Sequence, residues 1–148
     1  MTRYRVPQTL LRRTFDQVRA CGASRRKCQV LWTSRWDAVP DLDDLVHPRH
    51  RSYSGGLEVE SAWITEFWKA LARERRGVRV QVHTHPGSAF HSASDDTWPV
   101  IHVPGFLSLV IPRFGFGRVG LDETYLTQIG PDGIWHEVVI AEYLEVVG

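Results

Sequence analysis

The chain has 148 residues, 18 Lys and Arg against 17 Asp and Glu, and a formal net charge of +1. That length suits one domain with a sizeable core, since about 70% of the unfolded surface is buried at this size, and the 43% hydrophobic and 24% charged content is ordinary for a globular protein. A disordered tail, a collagen-like rod and a disulfide knot are excluded, and the near-balanced charge argues against a dedicated nucleic-acid domain.

Pro7 to Ala20 is predicted to be a helix. Leu11, Phe15 and Val18 recur at spacings of four and three, with Arg12, Arg13, Asp16 and Arg19 on the other faces. Pro7 suits the first turn and Gly22 the stop. Cys28 to Trp32 reads as a strand, 37–44 as a turn-rich stretch, and Leu45-Val46-His47 as a short second strand ended by Pro48. Ser54-Gly55-Gly56 is a loop. Val59 to Arg76 carries the clearest helical stripe, in Val59, Trp63, Phe67 and Leu71, widened by Ile64 and Trp68. Arg73, Arg75 and Arg76 crowd its C-terminal end, where positive charge favours the helix dipole, and Gly77 is expected to terminate it.

Val78 to His83 alternates as a strand does. Val78, Val80 and Val82 are expected on one face, and Arg79, Gln81, His83 and His85 on the other. Phe106 to Ile111 is an apolar run suited to a buried strand. Thr124–Ile129 and Ile134–Ile140 flank Pro131-Asp132-Gly133, a turn sequence, and should form a hairpin. The expected class is α/β (α+β), a single mixed sheet sandwiched by helices in one domain spanning residues 1–148.

No run approaches the ~18 apolar residues of a membrane-spanning helix. The segment Met1 to Pro7 has charge but lacks the apolar stretch of a signal peptide. The expectation is a cytoplasmic protein without membrane contact, its two cysteines, Cys21 and Cys28, being free thiols. Seven His and six Trp are unusual for so short a chain. His47, His50, His102 and His136 have no partner visible in the sequence, and His91 reads as a loop hydrogen-bonder. The basic groups Arg12-Arg13, Arg25-Arg26-Lys27 and Arg73 to Arg76 read as solvated faces rather than a nucleic-acid surface.

The chemistry is concentrated in the stretch from His83 to Asp96. Histidines at i and i+2 of a strand project from one face, so His83 and His85 can converge on one ion. Pro86 and Gly87 end the strand, and Ser94-Asp95-Asp96 looks like a helix start that could return a carboxylate. Two His and one Asp leave a fourth position for water, the pattern of catalytic rather than structural zinc. Zinc in such a site lowers the pKa of its water toward ~7 and polarises a carbonyl. His-Glu-x-x-His, Pro-Cys-x-x-Cys and the P-loop pattern are all missing from the sequence.

His83-Thr84-His85-Pro86 followed by Ser92-Ala93-Ser94-Asp95 resembles the signature of the JAMM metalloprotease family, also called the JAB or MPN domain. The helix before the motif and the apolar segment Gly105 to Pro112 after it are similar in order and character, so the resemblance covers about residues 10–140. It implies a JAMM/MPN-like (cytidine-deaminase-like) architecture, Zn2+ held by His83, His85 and Asp95, and Ser92 stabilising the oxyanion formed when an amide is attacked. The loop between Pro86 and Ser92 is a residue shorter than the commonest family pattern. The Ser-x-x-Asp offset selects Asp95 as ligand; the His-to-Asp spacing selects Asp96. The implied substrate is the C-terminal tail of a ubiquitin-like protein or its isopeptide conjugate, in bacterial conjugation systems of which some are antiphage.

One position departs from the pattern. Where the family carries a glutamate as general acid/base, this chain has Lys27, a cation near neutrality that cannot take that role simply. Glu58 or Glu60 could serve instead, with Glu58 the named candidate; both otherwise read as first-turn partners of the long helix. The alternative implied by Lys27 is a catalytically silent MPN module that binds a partner.

Overall fold

The computed structural model describes residues 2–53, 56–90 and 101–148. The chain opens with a short strand, β1 (Tyr4–Pro7), and enters helix α1 (Gln8–Gly22) directly. Pro7 therefore belongs to the extended entry, at φ −60° and ψ 145°, and not to the helix. Its ring suits either state, because both share its φ. The helix buries Leu10, Leu11, Thr14, Phe15, Val18 and Gly22. Gly22 and Gly115 allow its C-terminal half to touch the 3-10 turn Arg113–Gly115. A Cβ on Gly22 would lie 2.4 Å from the Cβ of Phe114, and one on Gly115 would lie 2.5 Å from Val18 Cγ2.

Strands β2 (Gln29–Arg35) and β3 (Asp44–Val46) come next. They are followed by β4 (His50–Tyr53) and β5 (Gly56–Val59), then helix α2 (Ser61–Glu74) and strand β6 (Arg76–Thr84). The long helix is thus shorter at both ends than its apolar pattern. β4 and β5 pair antiparallel, with His50 opposite Val59 and Arg51 opposite Glu58, which takes Val59 out of the helix. At the other end Arg75 adopts the left-handed conformation (φ 54°), and its N–H bonds back to Ala72 and Leu71. The stop therefore falls on an arginine and not on Gly77, which lies in β6. The remaining elements are β7 (Leu107–Ile111), β8 (Tyr125–Ile129), β9 (Trp135–Glu137), helix α3 (Ile140–Tyr143) and β10 (Leu144–Val147).

The main sheet has six strands in the order β3-β2-β6-β7-β8-β9. All its pairings are antiparallel except β6 with β7. The expected hairpin forms as β8–β9, with Ile129 opposite Trp135. Separately, β1 and β10 pair in parallel. The architecture is a mixed α+β fold with a mixed sheet flanked by helices.

Two apolar clusters lie against the sheet. The larger joins Leu11, Phe15 and Val18 of α1 to Val30, Trp32, Val80, Val82 and Leu109 of the strands. The indole N–H of Trp32 donates to Thr14 Oγ1 (2.8 Å), and that hydroxyl donates to the Leu10 carbonyl (2.8 Å), so the buried polar atoms are satisfied. The smaller cluster is Leu31, Leu71, Val78, Phe106 and Ile129, with Leu71 contributed by α2. Val78 therefore packs apart from Val80 and Val82. A β-bulge causes this: Trp32 faces Val80 but Thr33 faces Val78, so Arg79 is an extra residue and alternation changes phase across it. The α2 stripe is only partly covered, since Leu71 is buried while Trp63 and Phe67 are half-buried and Trp68 is exposed.

Candidate metal centre

His83 stands near the C-terminal end of β6, in the middle of the main sheet, and His85 immediately follows that strand. The backbone there is fixed from both sides. Thr84 N–H donates to the Cys28 carbonyl (3.1 Å) and Cys28 N–H donates to Thr84 Oγ1 (2.9 Å). His85 N–H donates to the Ile111 carbonyl (3.0 Å), the His85 carbonyl accepts from Phe114 N–H (3.0 Å), and the Gly87 carbonyl accepts from Arg113 N–H (2.9 Å). The strand end and the turn after it are therefore bound to both neighbouring strands.

Both histidines are buried, at 7% and 3% exposure. Their ring centroids are 5.4 Å apart with planes inclined at 50°. Two imidazoles sharing a tetrahedral ion with metal–nitrogen bonds of ~2.0–2.1 Å should have centroids about 5 Å apart, close to the separation found here. Phe90 meets His85 edge-on at 4.6 Å while remaining 51% exposed.

Ser92, Asp95 and Asp96, with His91 and Trp98, lie outside the described residues. Glu58 lies on β5, exposed, and not in the first turn of α2; Glu60 is the residue before that helix. Lys27 precedes β2, one residue from Cys28, which bonds to Thr84, and two from Gln29, which faces His83.

The structure also gathers residues to which the sequence reading gave no shared role. Cys21, Cys28, His47 and His50 bring a ligand atom each within 4.8 Å of one another. The cluster lies on the α1 side of β2, since Cys28 belongs to the larger apolar cluster whereas Gln29 is the residue facing His83. Burial pushes the Cys28 thiol up, reinforced by the sulfur contact with Cys21. Burial, with His50 close by, holds His47 below the ordinary imidazole range. The available signal was two pairs, cysteines seven positions apart and histidines three apart, separated by a long gap that hides their proximity. His136 also gains a partner, Asp132, at 2.9 Å in the β8–β9 turn. His102 gains no described role.

No family model matches the sequence. A relative named as the probable metalloprotease y4jG, from Sinorhizobium fredii (strain NBRC 101917 / NGR234), is 35% identical over 66 residues, which are 43% of this chain and 41% of the relative. The chain's match thus spans about two fifths of that relative's length. Among solved structures, the protein DSY2949 from Desulfitobacterium hafniense superposes with a TM-score of 0.67 at 13% identity, over 97% of this chain and 92% of that one. AF2198, a JAB1/MPN domain protein from Archaeoglobus fulgidus, gives a TM-score of 0.56 at 16% identity, over 99% and 98% of the two chains. A protein from Salinibacter ruber gives 0.53 at 19% identity, over 93% and 89%. These structures share the fold of the chain, which is that of the JAB1/MPN neighbour.

Proposed function

We propose that the protein is a metal-dependent peptidase of the JAMM type, acting on an amide or isopeptide bond at the C-terminal tail of a ubiquitin-like protein. The observation that carries this reading is the pair of buried, neighbouring imidazoles of His83 and His85 at the end of a central strand. The similarity to a probable metalloprotease and the fold shared with a JAB1/MPN domain protein support it.

In this reading His83, His85 and Asp95 hold a zinc ion. When bound, zinc supplies Lewis acidity to a carbonyl and acidifies a water. The chain's own residues do the rest. The doubly bonded backbone around Thr84 and His85 holds both rings in place, so little reorganisation is needed during the reaction. Ser92 donates its hydroxyl toward the developing oxyanion. Glu58 takes a proton from the attacking water and gives it to the amine nitrogen as the C–N bond breaks. The substrate tail lies extended beside a sheet edge, where strand addition satisfies its backbone.

The test is cleavage of a ubiquitin-like fusion by the full chain, with and without chelator, followed by zinc readdition. Loss on chelation and recovery on readdition support the reading. Metal bound without turnover favours a silent, partner-binding module, the reading that Lys27 supports if, as the resemblance implies, it takes the place of the family's glutamate.

A further inference from the structure

The Cys/His cluster lies on the sheet face opposite His83 and makes no contribution to the peptidase chemistry proposed above. Its four members come from three places in the chain. Cys21 is in the last turn of α1, Cys28 immediately precedes β2, and His47 and His50 flank the corner between β3 and β4. His47 Nε2 is 3.6 Å from Cys21 Sγ and 3.4 Å from Cys28 Sγ. A tetrahedral zinc with bonds of ~2.3 Å to sulfur and ~2.0–2.1 Å to nitrogen sets its S···N ligand pairs about 3.5 Å apart. The two sulfurs are 2.7 Å apart, longer than the ~2.05 Å of a disulfide. They would separate by about 1 Å to share such an ion.

His50 adds a second kind of observation. Its Nδ1 is 2.9 Å from the Pro48 carbonyl and its Nε2 is 3.3 Å from the Lys27 carbonyl. A neutral imidazole has one N–H and can donate to only one of them. Donation from Nδ1 to Pro48, the shorter of the two contacts, is the usual way a metal-binding histidine is oriented, and in that tautomer Nε2 carries the lone pair that can ligate. The His47 and His50 rings meet edge-on at 5.0 Å, as neighbouring ligands do. A cleft of about 900 Å3, lined by Cys21, His47, His50, Glu60 and Trp63 among others, gives an ion a route in.

We propose that Cys21, Cys28, His47 and His50 form a structural zinc site, separate from the His83 centre. Two soft thiolates and two imidazoles in a tetrahedral set select zinc among the common divalent ions. Four protein ligands close the coordination shell, which makes the site structural and not catalytic. Binding displaces the two thiol protons, and the resulting complex of Zn2+, two thiolates and two neutral imidazoles carries no net charge, which suits a half-buried position. The ion ties the end of α1, the start of β2 and the β3–β4 corner together. It thereby anchors the segment holding Lys27 and the strand bonded to Thr84.

The test is cobalt(II) loading of the full chain purified under reductant. The expected result is a thiolate-to-cobalt charge-transfer band in the near ultraviolet, which a His/His/Asp centre cannot produce. The band should persist in His83→Ala/His85→Ala and vanish in Cys21→Ser/Cys28→Ser, with zinc content falling by about one equivalent in each double variant when both centres are loaded. His47→Ala keeps both thiols and should weaken zinc binding by at least the ~10–100-fold that loss of a supporting partner causes. Folded wild-type protein that binds cobalt without the band, or that carries a Cys21–Cys28 disulfide under reductant, overturns the proposal. A band without fusion cleavage leaves this site standing while the peptidase reading fails.

Discussion

At the scale of single residues, the proposed chemistry separates into groups with different expected signatures. Ser92→Ala should lower kcat by about 10²-fold or more with little change in KM, as loss of an oxyanion donor does; steady-state kinetics on a ubiquitin-like fusion measure it. Glu58→Gln should lower kcat by about 10²–10⁴-fold if that carboxylate is the acid/base, and an unchanged rate would remove it from the mechanism. Glu58 was legible in the sequence only as a carboxylate near a helix start. Its place on β5 depends on pairing with a second short strand, and nothing in the local pattern reports that. The histidine pair was legible because two residues on a strand share a face whatever the rest of the chain does. The Cys/His cluster was not, because its members meet only after α1, β2 and the β3–β4 corner have packed.

At the scale of elements, close contacts and turns carry the predictions. Gly115 sits at φ 80° with Val18 against it, so Gly115→Ala meets both a disfavoured conformation and a clash. It should cost about 1–3 kcal/mol, read as a lower denaturation midpoint at unchanged m. Asp132 accepts the Ile134 N–H at 3.0 Å and the His136 ring, and its carboxyl is held below the ordinary range first by the backbone bond and then by His136. A depressed folded pKa means that this contribution is present above the unfolded value near ~3.9 and is lost as pH falls through the folded one. Thermal melts between neutral pH and pH ~3 should therefore converge for wild type and Asp132→Asn at the acid end. The hairpin itself was legible from Pro131-Asp132-Gly133, since the turn residues dictate it. By contrast, β1 and β10 carry no mark in the sequence. They are four residues each and pair with one another from opposite ends of the sequence, so no local period distinguishes them from loop.

For the whole molecule, the central sheet carries metal-capable residues on both faces, and metal removal should have two separable consequences. Chelation strong enough to strip the metal proposed at His83 and His85 should abolish the proposed cleavage with a modest change in melting temperature. Extraction of an ion from the site proposed at Cys21, Cys28, His47 and His50 should lower the melting temperature more, because binding free energy at a structural site is folding free energy. Scanning calorimetry at increasing chelator concentration checks the order of the two. The general arrangement of sheet and helices follows from patterning, as the stripe of α1 and the alternation of β6 show. The phase change at Arg79 does not, because a bulge is set by the partner strand and leaves no mark on the sequence of one strand.

The rung joining Cys28 to Thr84 has a further use. The Cys28 amide is bonded to a side-chain hydroxyl, while the Thr84 amide is bonded to the Cys28 carbonyl. Thr84→Val would delete the acceptor for one amide and leave the other intact, with shape nearly conserved. Both amides are protected by the same rung, so their hydrogen exchange reads how firmly the segment after Lys27 is held to the strand that carries His83.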